Sequence, residues 1–214
     1  MKPFILVFLF SLSLLACAQK QQGPGAIPLG NPKKPAGNEA VAYFAEGCFW
    51  HAEIVFQSLS GVRDAVSGYA GGKDTHPSYE SVSSGETGHA ETVEVFYDPS
   101  KISYETLVAA FFASQDPTTL NRQGNDEGTE YRSIAFYSND TEKQIIEKTI
   151  QQLTGAKKYS SKIVTQVVPI THFYQAEDYH QEYIYHNPDN GYVRNVSIPE
   201  FQAFKKEFKA SFKN

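Results

Sequence analysis

Two side chains, a thiol and a carboxyl, carry the chemical interest of this chain. Cys48 sits in Gly47-Cys48-Phe49-Trp50, beside the sequence's single Trp. Upstream, residues 41–45 (Val-Ala-Tyr-Phe-Ala) read as a short strand. Downstream, Trp50, Ile54, Val55 and Leu59 recur at helical spacing. Gly47 therefore marks a strand-to-helix turn and Cys48 falls in the first turn of the helix. Unpaired N–H groups and the helix dipole favour a thiolate there. Two aromatics after the sulfur supply an apolar wall. The competing reading is a buried structural cysteine, the common fate of a free thiol.

Glu91 lies in the segment 88–97, which reads as a strand. Side chains alternate across a strand, so Glu91 shares a face with Val93, Val95 and Tyr97, and Glu94 faces the other way with Thr92 and Phe96. A carboxylate in an apolar row is costly unless partnered or protonated. Burial would raise its pKa and suit it to donate a proton near neutrality; a strand-end residue reaching water is the alternative.

Further polar groups lie in loops. Tyr79 follows the Gly71-Gly72 loop, which lacks the Gly-Lys-Ser/Thr ending of a phosphate cradle. Asp126 belongs to a glycine-bearing polar loop, 121–129, that runs into a strand over 131–137 starting at Tyr131. Such a loop suits ligand-facing groups, although solvated turns look alike. Residues 173–183 read as an aromatic-rich helix on which Glu177 and His180 have Glu-x-x-His spacing. One copy is too few for a dimetal site, so a helical hydrogen-bonding pair is expected and no metal.

The elements that must position these groups fit one domain of about 175 residues, 40–214. Ser103 reads as the N-cap of a helix carrying Leu107, Val108, Phe111 and Phe112. A surface helix over 141–153, a strand over 163–168 and a terminal helix with Phe201, Phe204 and Phe208 facing the core complete the pattern. The formal charge of −5 and the scattered Lys and Arg argue against a nucleic-acid surface.

The N-terminus reads differently. Residues 1–16 have the charged start and apolar middle of a signal peptide, and Leu14-Leu15-Ala16-Cys17 resembles a bacterial lipobox in which Cys17 is acylated. A plain cleavage near Ala16 or Ala18 is the alternative. Residues 17–39, rich in Gly, Pro and Gln, read as a lipid-anchored flexible linker. The expected location is the bacterial cell envelope, as an exported lipoprotein on the periplasmic or outer-membrane side. With Cys17 carrying lipid, Cys48 is the sole thiol of the two cysteines.

Taken together, Gly47-Cys48-Phe49-Trp50, the segment 68–72 (Gly-Tyr-Ala-Gly-Gly), the segment 85–91 (Gly-Glu-Thr-Gly-His-Ala-Glu) and the loop through Ser133 closely resemble peptide methionine sulfoxide reductase of the A type. The likeness continues through residues 173–181 and covers roughly 41–190 in order. It implies an α+β fold, a two-layer sandwich around a mixed β-sheet with a ferredoxin-like core. The implied activity is reduction of the S epimer of methionine sulfoxide, free or in proteins, as repair after oxidative damage.

By matching position the resemblance makes Cys48 the nucleophile and Glu91 the proton donor. Tyr79 and Tyr131 would bond the sulfoxide oxygen, Asp126 would support the site, and Phe49 and Trp50 would hold the substrate methyl group. No bound cofactor is implied. His51 departs from the usual Gly and is expected on the helix surface, or as a cation that keeps Cys48 ionised. The C-terminal cysteines of many relatives are absent here. The expected reductant is therefore external, a thioredoxin-like protein or a small thiol, acting on a monomer. Another thiol redox enzyme such as a peroxidase, a cysteine hydrolase, and a binding module for oxidised Met segments are the competing functions.

Overall fold

The computed structural model describes residues 34–213. The expected signal peptide, most of the linker and Cys17 lie outside the described residues. In chain order the elements are β1 (Ala40–Glu46), α1 (Phe49–Gln57), β2 (Val62–Ala70), α2 (Tyr79–Ser83), β3 (Ala90–Tyr97), α3 (Tyr104–Ala113), β4 (Arg122–Gln123), β5 (Asp126–Glu127), β6 (Ser133–Tyr137), α4 (Asp140–Gly155), β7 (Gln166–Pro169), β8 (Phe173–Gln175), α5 (Tyr183–His186) and α6 (Ile198–Glu207). Short 3-10 turns cover Thr129–Tyr131 and Asp178–His180, and a π-helical turn, Val193–Ser197, precedes α6.

Six strands form one sheet in the order β7-β6-β1-β3-β2-β8. β3 runs antiparallel to both β1 and β2, and β1 runs antiparallel to β6. The chain therefore makes two split β-α-β units, β1-α1-β2 and β3-α3-β6, whose central order β6-β1-β3-β2 is the ferredoxin-like arrangement. β7 joins β6 in parallel and makes the sheet mixed, as expected from the sequence.

Alternation along β1 and β3 decides which residues meet the helices. Ala42 and Phe44 on β1 and Val93, Val95 and Tyr97 on β3 lie in the main core with α1 and α3. Phe44 is the centre of that core: its ring stacks on Phe56 at 5.0 Å and on Phe111 at 5.2 Å. Burying each such ring contributes about 1.5–3 kcal/mol. The opposite face carries a smaller cluster, Ala45, Ala70, Ala90, Ile134 and Phe136. Glu94 points to that side, where its carboxylate accepts a bond from the Tyr43 hydroxyl at 2.9 Å.

Local signals explain most element ends. The Ser103 hydroxyl accepts from Thr106 N–H at 3.2 Å and caps α3, as its position predicts. Two readings are corrected. The strand expected over 163–168 begins only at Gln166. The segment read as a helix over 173–183 is instead β8, a 3-10 turn and the start of α5. It pairs with β2 because Gly68 leaves room; a Cβ there would stand 2.3 Å from the Phe173 ring and 2.4 Å from the Tyr174 carbonyl. At the other end of the chain, Glu39 is held by Arg63 at 2.7 Å.

Candidate active site

The turn from β1 into α1 is built on Gly47, whose φ of +98° lies in the region that favours glycine. A Cβ there would also stand 2.6 Å from the Gln123 side chain. The turn sets Cys48 at the N-cap of α1, one position before the first helical residue. Its carbonyl accepts from His51 N–H at 3.1 Å and Ala52 N–H at 3.2 Å. The thiol is half-buried.

The electrostatics differ from the sequence expectation. Burial pushes the Cys48 thiol well above its ordinary range, and the Glu91 carboxylate adds to the shift. The N–H groups of Trp50 and His51 act the other way, as a helix start should, but do not win. The resting sulfur is thus a thiol rather than the expected thiolate.

Glu91 comes from β3, one strand away, and is 2 % exposed. One of its oxygens accepts from Phe49 N–H at 2.9 Å, which fixes the carboxyl beside the residue that follows Cys48. Burial raises its pKa to about 8, with Asp126 and Glu130 adding to the shift and the Phe49 bond opposing it. Glu91 is therefore a neutral acid at pH 7, as its apolar row predicted.

Cys48, Phe49, Trp50, Tyr79, Glu91, Asp126 and Tyr131 line one pocket of about 280 Å³. The fold thus brings together all the site residues picked out around Cys48. Tyr79 opens α2 under the Ser78 cap, and Tyr131 closes the 3-10 turn before β6. Burial and the Glu91 charge raise the pKa of both phenols, which keeps them as O–H donors. Asp126 lies on β5 and accepts a bond from the Tyr192 hydroxyl.

The segment that replaces the expected helix holds these aromatics. Glu177 accepts from the Tyr69 hydroxyl at 2.8 Å and from Tyr79 N–H at 2.9 Å. His180 Nδ1 accepts from the Trp50 indole at 3.0 Å. Burial lowers the His180 pKa to about 4, so the ring is neutral and its lone pair is available to Trp50. Tyr183 stacks on the indole at 3.7 Å with the planes 7° apart. The Glu-x-x-His spacing therefore serves two separate clamps on the pocket rather than a helical pair.

Sequence reasoning missed Tyr192 and Asn190, which also line the pocket. Their Asn-Gly-Tyr context signals only a turn, and no periodicity points to the site. His51 was misplaced. It is buried, 6 % exposed, and burial lowers its pKa to about 4, so it is neutral at pH 7 and is not a cation for Cys48.

Comparison with known proteins places the chain in a family. The family model for "Peptide methionine sulfoxide reductase" matches residues 40–212. Peptide methionine sulfoxide reductase MsrA 1 of Rhodopirellula baltica is 47% identical over 175 residues, 82% of this chain and 90% of that protein. The MsrA of Acinetobacter baumannii strain AYE is 47% identical over 173 residues, 81% and 98% of the two chains. Among solved structures, reduced Mxr1 from Saccharomyces cerevisiae superposes with a TM-score of 0.67 at 35% identity, covering 73% of this chain and 91% of that one. Methionine sulfoxide reductase A of Corynebacterium diphtheriae gives a TM-score of 0.67 at 34% identity, covering 78% and 87%.

Proposed function

The chain belongs to the A-type peptide methionine sulfoxide reductase family, and within that activity, reduction of methionine S-sulfoxide, we propose that Cys48 is the nucleophile and Glu91 the proton donor. The observation that carries this reading is the neutral Glu91 carboxyl hydrogen-bonded beside Cys48 in one aromatic pocket. Sulfoxide oxygen is a poor leaving group until protonated, and a buried acid with a pKa near 8 can supply that proton.

Bonds to the sulfoxide oxygen from Tyr79 and Tyr131 hold it toward Glu91. The Phe49 and Trp50 rings take the S-methyl group, with Trp50 locked by His180 and Tyr183. Asp126 orients Tyr192 at the pocket wall. In the reaction Cys48 Sγ gains the oxygen, the substrate sulfur loses it, and methionine leaves. The Glu91 proton goes to the departing oxygen, and the Cys48 S–H proton returns to Glu91. A thiol beside a carboxyl needs no free thiolate before substrate binds.

The product on the protein is a Cys48 sulfenic acid. Cys48 is the free cysteine among the described residues, so the reductant is an external thiol, a thioredoxin-like protein or a small molecule. Met1 to Cys17 further support export and acylation at Cys17, with the catalytic domain of 40–214 tethered in the cell envelope by the linker. Acyl-chain mass spectrometry of the N-terminal peptide tests that part.

One equivalent of methionine S-sulfoxide without reductant should release one equivalent of methionine and add one oxygen to Cys48; the R epimer should give neither. Methionine release by Cys48→Ser would sink the nucleophile assignment. A Cys17–Cys48 disulfide in place of the sulfenic acid would sink the external reductant.

A further inference from the structure

Cys48 borders two spaces. Besides the aromatic pocket, a cleft of about 240 Å³ is lined by Glu46, Cys48, His51, Ser114, Glu200 and Glu207, among others. Only Cys48, Asp126 and Tyr192 border both, so these three form the wall between them.

Two nine-tenths-buried residues in the cleft, and the Gln115 amide nitrogen beside them, have hydrogen-bonding capacity that no described residue satisfies. Neither ring nitrogen of His51 is bonded, nor is Oε1 of Glu46, although the residues are 6 % and 1 % exposed. The other Glu46 oxygen accepts from the Ser114 hydroxyl at 2.8 Å. Around the His51 ring stand the Ser114 and Ser197 backbones and, 4.0 Å away, the Glu200 carboxylate. Buried polar atoms left unpaired are costly, and two such groups at one cleft point to an occupant that bonds them. His51 follows Cys48 by three residues, so both lie on one side of α1.

Charge narrows the occupant. Asp116, Glu200 and Glu207 line the cleft, and among the described residues no Lys or Arg does. Such a lining gathers cations and repels anions.

Building on the reductase reading above, we propose that this cleft binds the thiol that reduces the Cys48 sulfenic acid, and that the acidic lining selects a small thiol bearing a positive charge. The oxygen on Cys48 comes from the sulfoxide and so lies on the aromatic side. Displacement at sulfur runs in line, which brings the incoming sulfur from the cleft side. The new S–S bond forms as the Sγ–O bond breaks, and the oxygen leaves as water with the Glu91 proton. A second molecule of the thiol then attacks the outer sulfur of the mixed disulfide and displaces Cys48. Each thiol attacks as its thiolate, and two protons from water restore Glu91 and Cys48. Two thiols are oxidised to one disulfide, and the sulfenic sulfur is reduced by two electrons.

The test begins with enzyme converted to the sulfenic acid by one equivalent of methionine S-sulfoxide. If no methionine appears at this stage, the reductase reading has failed rather than the cleft. The oxidised enzyme is then mixed with cysteamine, 2-mercaptoethanol or 3-mercaptopropionate, with rates expressed per thiolate. Cysteamine should exceed 3-mercaptopropionate by at least about tenfold at low salt, and salt should shrink the ratio. The double variant Glu200→Gln/Glu207→Gln, on exposed side chains, should cut the ratio about threefold while the methionine burst is kept. Equal rates for the three thiols, a ratio indifferent to the double variant, or reduction by a thioredoxin-like protein but by no small thiol would overturn the proposal.

Discussion

The two spaces that meet at Cys48 are furnished differently. On the aromatic side most polar groups are tied to one another, Glu91 to Phe49 N–H, Trp50 to His180, Tyr79 N–H to Glu177 and Tyr192 to Asp126, with His180 Nε2 the one ring nitrogen left without a partner among the described residues. On the cleft side His51 and Glu46 hold unpaired nitrogen and oxygen atoms behind a ring of carboxylates. A partnered network holds one geometry and suits a step in which atoms must be aligned before bonds change. Unpaired groups gain their bonds when a ligand arrives. The contrast teaches that one sulfur can be served by a preformed pocket for the oxidant and an open one for the reductant.

The largest expected effect comes from the shared wall. Cys48→Ser should lower methionine formation by about 10⁴-fold or more, measured by product chromatography, and should shift unfolding free energy by less than about 1 kcal/mol because the thiol is only half-buried. A large loss of stability would make Cys48 a structural residue and erase the contrast.

Glu91→Gln ranks next, with a loss of about 10²–10⁴-fold in the single-turnover rate. In the wild type that rate should fall as pH rises through about 8, where Glu91 gives up the proton it must donate. The variant should lack this limb. Stability follows the same group. The folded pKa is raised from 4.5 to about 8, so the native state binds the proton more tightly. The contribution is full below the unfolded pKa and is lost as pH rises through about 8. Glu53, buried and also raised to about 8, acts in the same direction. Thermal unfolding midpoints between pH 5 and 9 should therefore decline less steeply in Glu91→Gln.

A smaller effect is expected from His180→Phe, which keeps a ring but leaves the Trp50 N–H without its acceptor. The cost should be about 1–3 kcal/mol in denaturant unfolding, and KM should rise more than kcat falls. Smallest is Glu46→Gln. Its bond to Ser114 survives in the amide and no other bond of that carboxyl exists to lose. Stability should stay within about 1 kcal/mol. A larger drop would mean that the cleft is structural rather than waiting for a ligand.

Much of the aromatic side was legible in the sequence. Alternation placed Glu91 in line with Val93 and Val95, and Gly47 before an apolar helix placed Cys48 at its start. Local periodicity suffices for such readings, because a strand face or a helix start is set by neighbouring residues. The clamps were not legible. The Trp50–His180 bond joins residues 130 apart, and the Tyr69–Glu177 bond joins residues 108 apart. The aromatic spacing over 173–183 imitated a helical stripe because Tyr174, His180 and Tyr183 meet partners on several other elements.

By itself the sequence determined the order of the main strands and helices as far as β7, the position of the thiol and the row in which the carboxyl stands, all of which follow from short-range geometry. Tertiary structure alone decided the protonation states of Cys48 and His51. The helix start favours a thiolate at Cys48, yet burial and carboxylates from β3 and β5 push the thiol the other way. The same burial removes the charge from His51. Such shifts depend on water excluded and charges gathered by the whole fold, and no local pattern encodes them.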